Sequence, residues 1–399
     1  KTITNHWNDI AFFKLWRFIN NKYIYIIWNY IKFNQKKNKP VKKNILISTG
    51  GSGGHVLPAI TLYEHLQNDF QIFLTSDKRG AKYINDKNYN YKLIEIPRIS
   101  KNLFKFPYIL FLLIISFFKS FFFIKRNNIN VLISTGGYMS LPLCLSAKVL
   151  NIKIYLFEPN MVIGRLNKLF LKFSEKIICY SEVLKNFPEK YKNKIFVINP
   201  LLRKKIYQEK KNVKNEISKP FKILIIGGSQ GAEFFDKEIS ELMINLFKDF
   251  EISLIQQITD EKKKKILKEK YTEIGIQNDL FSFDEKIFQK YNQVDLAITR
   301  SGASTISELI FFNIPFLAIP LPQSKDNHQF HNAKDYYDKK LCWLINQTDY
   351  KKENLKEFIL NLIQNPDNYF EKKKNMIKFS YQNTWNNINQ KLLALINEN

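Results

Sequence analysis

Residues 44–66 read NILISTGGSGGHVLPAITLYEHL, an apolar run followed at once by a glycine-rich turn and then by a helical pattern. The run Asn44–Thr49 is short and apolar, which is typical of a strand buried on both faces, and Pro58–Leu66 has helical periodicity. The same order recurs where the run Phe221–Ile226 precedes the turn Gly227–Ala232 and a second helical pattern. Two units of this kind predict two parallel sheets, each opened by a glycine-rich turn.

Further strand and helix patterns alternate between and after these turns. The predicted strands are Ile72–Thr75, Lys92–Ile96, Val131–Thr135, Lys153–Phe157, Ile177–Tyr180 and Ile195–Ile198, then Glu251–Gln256, Leu280–Phe283, Leu296–Thr299, Phe316–Ile319 and Cys342–Ile345. The alternation predicts an α/β protein with two doubly wound Rossmann-like domains that face each other across a cleft. Ligands of such sheets bind at the carboxyl ends of the strands, so we expect the active site in the cleft.

Changes in composition predict the domain limits. Residues 42–205 form the first domain, the polar and charged residues 206–220 a linker, and residues 221–399 the second domain. Residues 351–399 have helical patterns without strands, and we expect these terminal helices to cross back onto the first domain. Residues 1–41 are an aromatic-rich extension, interpreted either as an interfacial helix or as a segment outside the mature protein.

The charge balance limits the choice of partners. Lys and Arg number 62 against 36 Asp and Glu, a formal net charge of +26, which predicts attraction to nucleic acid, anionic lipid or phosphorylated substrates. No nucleic-acid-binding motif or focused basic patch is found, so nucleic acid is not an expected partner. The three cysteines are far apart and form no CxxC pair, which argues against a disulfide scaffold and a structural zinc site.

Residues 106–124, FPYILFLLIISFFKSFFFI, are long and apolar enough to resemble a membrane span. A span would place the strand Val131–Thr135 across the membrane from the first strand. We therefore interpret the segment as a helix that is partly buried and dips into the membrane interface; a core helix and a true span are the alternatives. The cations around it suit anionic headgroups: Lys101, Lys105, Lys119, Lys125 and Arg126.

The first glycine-rich turn, Gly50–Gly54, lets the backbone approach a ligand closely, and the helix that follows points its positive dipole end at the same place. Phosphate or pyrophosphate is the ligand that this pattern favours. His55 at the exit of the turn could take a proton from an attacking hydroxyl; the alternative is a helix-start histidine bonded to backbone. Val56 breaks the GxGxxG dinucleotide pattern and no Walker lysine follows, which weakens NAD and P-loop nucleotides as ligands.

Other loops follow predicted strands at their carboxyl ends. Gly136–Tyr138 is a second loop with exposed backbone in the first domain, and Glu158 and Asn160 follow the next strand with polar groups for an acceptor. In the second domain, Ser229 can add a hydroxyl to the backbone amides that hold a phosphate.

The segment Arg300–Glu308 combines a helix start with polar side chains. The helix start can hold a phosphate, and Glu308 could accept two hydrogen bonds from a ribose diol; the alternative is an exposed helix carboxylate. The later loop Pro320–Asn332 carries side chains that suit sugar hydroxyls. No Asp-x-Asp pair occurs in the chain, so we expect amides and helix dipoles, rather than a metal ion, to neutralise a pyrophosphate.

Taken together, the segments GGSGGHVLPA, STGGYMSLP, EPNMVIGRLNK, GGSQGA and RSGASTISE resemble the peptidoglycan lipid II synthase family, the MurG-type UDP-N-acetylglucosamine:undecaprenyl-pyrophosphoryl-muramoyl-pentapeptide N-acetylglucosaminyltransferases. The resemblance extends from about Lys42 to the C-terminus. It implies the glycosyltransferase B fold and the inverting transfer of N-acetylglucosamine from UDP-GlcNAc to the muramoyl 4-hydroxyl of undecaprenyl-linked lipid I, forming lipid II.

The resemblance also implies the setting of the reaction. It implies a peripheral enzyme on an anionic membrane surface, the cytoplasmic face of the inner membrane, without a cofactor or metal. Cell-wall synthesis partners and a role in cell shape and division would follow.

The resemblance assigns roles to individual residues. His55 would be catalytic, and the acceptor would contact Gly136, Gly137, Tyr138 and Glu158. The donor would contact Ser52, Gly53, Gly54, Asn160, Arg203, Ser229, Phe283, Gly302, Ala303, Ser304, Thr305, Ile306, Ser307, Glu308 and Gln329. Arg203 departs from the family pattern Asn-Pro-Val-Arg, because one additional leucine separates it from Pro200.

Three other functions remain as alternatives at this point. A related glycosyltransferase could use a diacylglycerol acceptor, although the GGYMS and EPN segments favour the cell-wall acceptor. A UDP-sugar epimerase of the same fold would not release free UDP as a transferase does. An inactive nucleotide-sugar-binding scaffold is the third alternative, against which the retention of His55 and Glu308 argues.

Overall fold

The computed structural model describes residues 42–84, 88–96, 106–209, 216–228, 232–284 and 286–398. The predicted extension 1–41 and the predicted donor residue Ser229 lie outside these ranges.

The first sheet consists of parallel strands. They are β1 (Asn44–Ser48), β2 (Gln71–Ser76), β3 (Tyr91–Leu93), β4 (Val131–Ser134), β5 (Lys153–Glu158), β6 (Lys176–Cys179) and β7 (Ile195–Val197). Within the described residues this sheet has seven strands in the order β3-β2-β1-β4-β5-β6-β7. The order places β1 and β4 side by side, with Ile47 paired to Ile133, so the loops after these two strands are neighbours.

The second sheet repeats the arrangement with strands β8 (Phe221–Ile226), β9 (Ile252–Gln257), β10 (Gln277–Phe281), β11 (Leu296–Thr299), β12 (Phe316–Ala318) and β13 (Trp343–Leu344). In the described part of the chain its order is β10-β9-β8-β11-β12-β13, again with parallel pairing. The predicted fold class, α/β with two doubly wound sheets, is therefore confirmed. The predicted domain limits stay a prediction; β1–β7 fall within residues 42–205 and β8–β13 within residues 221–399.

Helices cover the sheets. They are α1 (Gly53–Leu66), α2 (Lys78–Ala81), α3 (Phe106–Arg126), α4 (Leu141–Val149), α5 (Arg165–Phe170), α6 (Lys204–Gln208), α7 (Ala232–Phe234), α8 (Ser240–Phe247), α9 (Glu261–Ile274), α10 (Ala303–Phe311), α11 (His328–Asp338), α12 (Lys352–Gln364), α13 (Asp367–Ser380) and α14 (Trp385–Asn397). A π-helical turn, Phe235–Ile239, joins α7 to α8.

Strand β1 shows why these apolar runs form buried strands. Ile45, Leu46 and Ile47 are all fully buried. Successive side chains of a strand point to opposite faces, so Ile45 and Ile47 pack into one core while Leu46 packs into another. A strand with a hydrophobic core on each face needs a continuous apolar run, which is the pattern that the sequence shows.

The C-terminal helix α14 packs against the first domain. The Trp385 ring stacks on the ring of His65 in α1, with centroids 3.6 Å apart. The Tyr155 hydroxyl of β5 donates to the carbonyl oxygen of Leu395 at 3.2 Å, and the Asn383 side chain donates to the carbonyl oxygen of Pro200 at 3.1 Å. The last helix of the chain therefore ties the end of the second domain to the first.

Helix α3 lies along the surface of the first domain. Ser116, Ser120 and Ile124 recur at every fourth position and are buried, and the Ser116 hydroxyl donates to the carbonyl oxygen of Glu95 at 3.0 Å. The opposite face exposes large apolar side chains: Tyr108, Leu110, Phe111, Ile114, Phe118 and Phe122. Within the described residues, one helix segment, Pro107–Arg126, is long and apolar enough to cross a membrane, and 22% of its most apolar window is buried.

Candidate active site

The first glycine-rich loop is held by a buried carboxylate from the neighbouring strand. Asp77, directly after β2, accepts hydrogen bonds at Oδ1 from the amides of Gly51 and Gly80, each at 2.8 Å. A Cβ atom at Gly50 would lie 2.7 Å from this oxygen, so the loop requires glycine there. Burial alone would raise the pKa of Asp77, but these amides and the Arg79 guanidinium lower it below its usual value. Asp77 is therefore a charged anchor at neutral pH.

His55 occupies the start of α1 with one ring nitrogen bound and the other directed at the second loop. Its Nδ1 lies 2.8 Å from the carbonyl oxygen of Thr135. Because a carbonyl oxygen only accepts, Nδ1 carries the proton of the neutral ring and Nε2 has the free lone pair. A Cβ atom at Gly137 would lie 3.6 Å from this Nε2. The orientation is the one that a general base at this loop needs.

The second loop, Gly136–Tyr138, follows β4. Gly137 has φ +75°, so a side chain here would be strained, and its Cβ atom would be in van der Waals contact with the His55 ring. The Tyr138 hydroxyl contacts the Arg79 guanidinium, which also lies 5.1 Å from the centroid of the tyrosine ring. Sequence reasoning missed Arg79 and Asp77. The signal was available, because both follow a predicted strand at its carboxyl end.

Glu158 lies at the end of β5, and its carboxylate is held inside the loop that follows. Its carboxylate is buried, and Oε1 accepts from the Asn160 side chain at 3.0 Å. Oε2 accepts from the Gly164 amide at 2.8 Å and from the Asn167 side chain at 3.0 Å. Both oxygens are used inside the loop that follows β5. These donors compensate the burial of the carboxylate and hold this loop in place. The acceptor contact predicted for Glu158 stays a prediction.

Asn332 joins the loops of the two sheets. Its side-chain nitrogen donates to Asn160 Oδ1 and to the Ser301 carbonyl oxygen, both at 3.1 Å, and its Oδ1 accepts from the Met161 amide at 2.8 Å. Asn160 and Met161 follow β5 of the first sheet, whereas Ser301 follows β11 of the second. The carboxyl ends of the two sheets therefore meet here, as the cleft prediction requires.

The start of α10 presents unpaired amides beside these loops. Gly302 precedes the helix in an extended conformation without a side-chain cap, and residues 302–305 are half-exposed. Ile306 and Ser307 are buried, and the Ser307 hydroxyl donates to the Ala303 carbonyl oxygen at 2.7 Å. The side chains of Ile306 and Ser307 face the core, whereas residues 302–305 are accessible. The phosphate contact predicted for Gly302–Ser307 stays a prediction.

Glu308 lies further along α10 and binds residues from both domains. Its Oε2 accepts from the Tyr291 hydroxyl at 2.9 Å, and its Oε1 lies 3.5 Å from Arg203 Nη2. The Arg203 guanidinium also stacks over the Phe288 ring at 5.1 Å. Burial raises the pKa of Glu308, while Arg203 and Tyr291 act in the opposite direction. The displaced arginine of the sequence thus lies against the predicted ribose-binding carboxylate.

Arg300 is buried after β11 and bonds to the loops beside the start of α10. Its Nη1 donates to the carbonyl oxygens of Ile319 and Pro320, each at 3.0 Å, and its Nη2 donates to Gln347 Oε1 at 2.7 Å. Burial lowers the pKa of Arg300 to about 10. These bonds hold the beginning of the loop Pro320–Asn332 in place.

The remaining predicted donor residues lie around the cleft. Gln329 accepts at Oε1 from the amides of Leu321 at 3.0 Å and Ser301 at 3.3 Å, which links the loop Pro320–Asn332 to the start of α10. Phe283 follows β10 and is 71% exposed. Gly53, Gly54 and the exposed Ser52 lie at the start of α1, where Ser52 makes no side-chain cap bond.

Among the residues that the structure describes, no group of three or more His, Cys, Asp or Glu side chains could hold a metal ion.

Comparison with known proteins identifies relatives over nearly the whole described chain. Residues 45–179 match the glycosyltransferase family 28 N-terminal domain and residues 222–388 match the family 28 C-terminal domain. The chain is 49% identical over 362 residues to the UDP-N-acetylglucosamine--N-acetylmuramyl-(pentapeptide) pyrophosphoryl-undecaprenol N-acetylglucosamine transferase of Pelagibacter ubique, covering 90% of this chain and 100% of that protein. The transferase of the same name from Rickettsia bellii is 35% identical, with 84% and 95% covered.

Solved structures share the fold. Acinetobacter baumannii MurG superposes with a TM-score of 0.70 at 22% identity, covering 90% of this chain and 100% of that one. The UDP-GlcNAc 2-epimerase of Neisseria meningitidis, bound to UDP-GlcNAc, gives 0.62 at 13% identity, with 89% and 100% covered. At these identities the likeness is one of fold.

Proposed function

We propose, from the premise that this chain belongs to glycosyltransferase family 28, that it transfers N-acetylglucosamine from UDP-GlcNAc to undecaprenyl-pyrophosphoryl-MurNAc-pentapeptide, converting lipid I to lipid II. The observation that carries the proposal is the meeting of two sheet edges. His55 and the loop Gly136–Tyr138 on the first sheet lie on the side where Asn332 joins the loop after β5 to the start of α10. A transferase needs acceptor and donor held together in such a place.

The second sheet suits the donor. The unpaired amides of residues 302–305 and the positive end of the α10 dipole would hold the UDP pyrophosphate. Glu308 would accept hydrogen bonds from the ribose hydroxyls, and Arg203 at 3.5 Å stabilises its ionised form. As UDP leaves, the charge that develops on its phosphate would be stabilised by the same amides.

The first sheet suits the acceptor and the proton transfer. The muramoyl 4-hydroxyl would attack the anomeric carbon of the donor sugar, the bond from that carbon to UDP would break, and the configuration would invert to give a β-1,4 link. His55 Nε2 would take the hydroxyl proton, because its Nδ1 is fixed to the Thr135 carbonyl oxygen at 2.8 Å. Gly136 and Gly137 would admit the acceptor diphosphate close to the backbone.

The exposed face of α3 suits a membrane surface. Its aromatic and aliphatic side chains continue onto α4 through Leu145 and Val149, which are exposed. The exposed cations Lys119, Lys125 and Arg126 border this face. We infer a peripheral enzyme on the anionic cytoplasmic face of the membrane, with α3 in the interface rather than across it, because the other face of α3 is packed on the domain.

A vesicle experiment tests this membrane face. Replacing Phe118, which is 51% exposed, with Asp is expected to reduce co-sedimentation with vesicles that contain phosphatidylglycerol by about tenfold, since a buried aromatic side chain contributes about 1.5–3 kcal/mol. Ile266→Asp on α9, a helix of the second domain, is the matched control because this residue is also exposed, at 65%. Equal loss of binding in both variants would contradict the assigned face.

The activity is tested by incubating the chain with labelled UDP-GlcNAc and a short-chain lipid I analogue, with and without EDTA. Labelled disaccharide lipid that forms equally in EDTA, together with release of UDP, is the expected result. Transfer to diacylglycerol instead would support the related lipid glycosyltransferase, and epimerised sugar would support the epimerase. Donor binding without any product would support the inactive scaffold.

A further inference from the structure

Arg79 lies between the two glycine-rich loops of the first domain. It belongs to the short helix α2, whose first residue follows Asp77. A Cβ atom at Gly51 of the first loop would lie 3.8 Å from Arg79 Nη2, and the same nitrogen contacts the Tyr138 hydroxyl of the second loop. One guanidinium group therefore contacts the second loop and lies beside the first at the edge of the sheet.

The orientation of Arg79 is fixed by its neighbours. Its Nε donates to Asp77 Oδ2 at 3.0 Å, while Asp77 Oδ1 is held by the amides of Gly51 and Gly80. Its guanidinium also lies over the Tyr138 ring, 5.1 Å from the centroid. A carboxylate binds one edge of this guanidinium and an aromatic ring covers one face. The remaining N–H groups of the planar guanidinium therefore point in a defined direction.

Arg79 keeps donors for a ligand. A guanidinium has five N–H groups, and the contacts within the described residues are made by Nε and Nη2. The side chain is 38% exposed, whereas that of Asp77 is 5% exposed. The neighbouring Lys78 points elsewhere, with Nζ 4.0 Å from Glu95. The outer edge of the Arg79 guanidinium is thus an accessible cation beside the loops Gly50–Gly54 and Gly136–Tyr138.

We propose that Arg79 binds the diphosphate of the lipid-linked acceptor, with Asp77 as its positioning residue. The proposal deepens the proposed function and rests on it. Arginine matches phosphate oxygens with two parallel hydrogen bonds, and the acceptor is the substrate expected at these loops. Tyr138 would complete the contact through its hydroxyl.

Steady-state kinetics of Arg79→Ala and Arg79→Lys test the proposal, with Lys78→Ala as the matched control on the adjacent exposed residue. We expect the KM for the lipid I analogue to rise about 10–100-fold in Arg79→Ala, since hydrogen bonds to charged groups contribute about 1.5–3 kcal/mol. Arg79→Lys should keep part of the affinity because it keeps the charge but not the fork. The KM for UDP-GlcNAc should stay at the wild-type value in each variant.

Inhibition by inorganic pyrophosphate supplies a second measurement. Inhibition that competes with the acceptor should be weakened in Arg79→Ala and unchanged in Lys78→Ala. An unchanged acceptor KM, or equal rises in the KM of both substrates, would overturn the assignment of Arg79. If Arg79→Ala does not fold, Arg79→Lys decides by the same comparison of the two KM values. Failure of the wild-type chain to use lipid I would refute the proposed function itself.

Discussion

The two edges of the cleft are built differently. On the first sheet, Asp77, Arg79 and Tyr138 bind one another, and all three belong to the same domain. On the second sheet, Glu308 pairs with Arg203, which follows β7 of the first domain. The loop after β11 is likewise joined through Asn332 to Asn160 of the first domain.

The edge of the second sheet therefore depends on both domains more than the edge of the first. The edge of the first sheet, Asp77, Arg79 and Tyr138, takes its charge pairing from within one domain. The edge of the second sheet takes hydrogen bonds and an ion pair across the domain boundary. We therefore expect substitutions on the first edge to affect one substrate or the chemical step, and substitutions at the boundary to lower the free energy of unfolding as well.

The largest expected effect is at His55. His55→Ala should lower kcat by about 10²–10⁴-fold, the usual contribution of a general base, because the acceptor hydroxyl then loses its proton acceptor. Binding of UDP-GlcNAc, followed by titration calorimetry, should stay close to that of the wild type. Turnover near the wild-type rate would remove His55 from the chemistry and leave it as a structural ligand of Thr135.

A smaller effect is expected on the opposite edge, at Glu308. Glu308→Gln should raise the KM for UDP-GlcNAc about 10–100-fold, because it removes charged acceptors for the ribose and leaves Arg203 without its carboxylate. The KM for the lipid acceptor should change little. Glu357→Gln on the exposed side of α12 is the matched control. Equal rises for both substrates would mean that the two edges are not separate in function.

The last expected effect is on stability rather than on activity, at the contact between α1 and α14. Burial lowers the pKa of His65 from 6.5 to about 4; a hydrogen bond with the Asn389 side chain opposes this shift and Lys204 adds to it. The unfolded chain therefore takes up a proton near pH 6.5, whereas the folded chain takes it up only near pH 4. The free energy of unfolding is unaffected by this group above pH 6.5 and decreases as the pH falls towards 4, by about 3 kcal/mol.

His65→Phe isolates this effect. Phenylalanine keeps a ring against Trp385 but does not titrate. The free energy of unfolding of the variant should therefore decrease less than that of the wild type between pH 7 and pH 4.5. Urea denaturation at the two pH values measures the difference, with His328→Gln as a second histidine substitution for control. A wild-type loss that persists unchanged in His65→Phe would contradict a neutral, buried His65.

Much of the fold followed from local pattern. Ile45–Ile47 and Ile223–Ile225 are continuous apolar runs because parallel strands are buried on both faces, and each is followed by glycine. His55 and Glu308 could be found in the sequence because the loops after parallel strands gather at one edge. The sequence also shows that Glu158, Ile306 and Ser307 follow predicted strands. It does not show that these side chains are buried.

The sequence alone determined two parallel sheets, the glycine-rich turns and the residues that follow them, since these depend on spacing along one strand and one helix. Only the tertiary structure decided which of those residues face the cleft. The Glu158 carboxylate accepts hydrogen bonds within its own loop, and the Ser307 hydroxyl donates to the Ala303 carbonyl oxygen. Arg203 forms an ion pair with Glu308 across the domain boundary. The physical reason is that a buried polar group bonds to the partner that the packing of distant strands and helices brings within hydrogen-bond distance. The spacing of residues along the chain does not specify which partner that is.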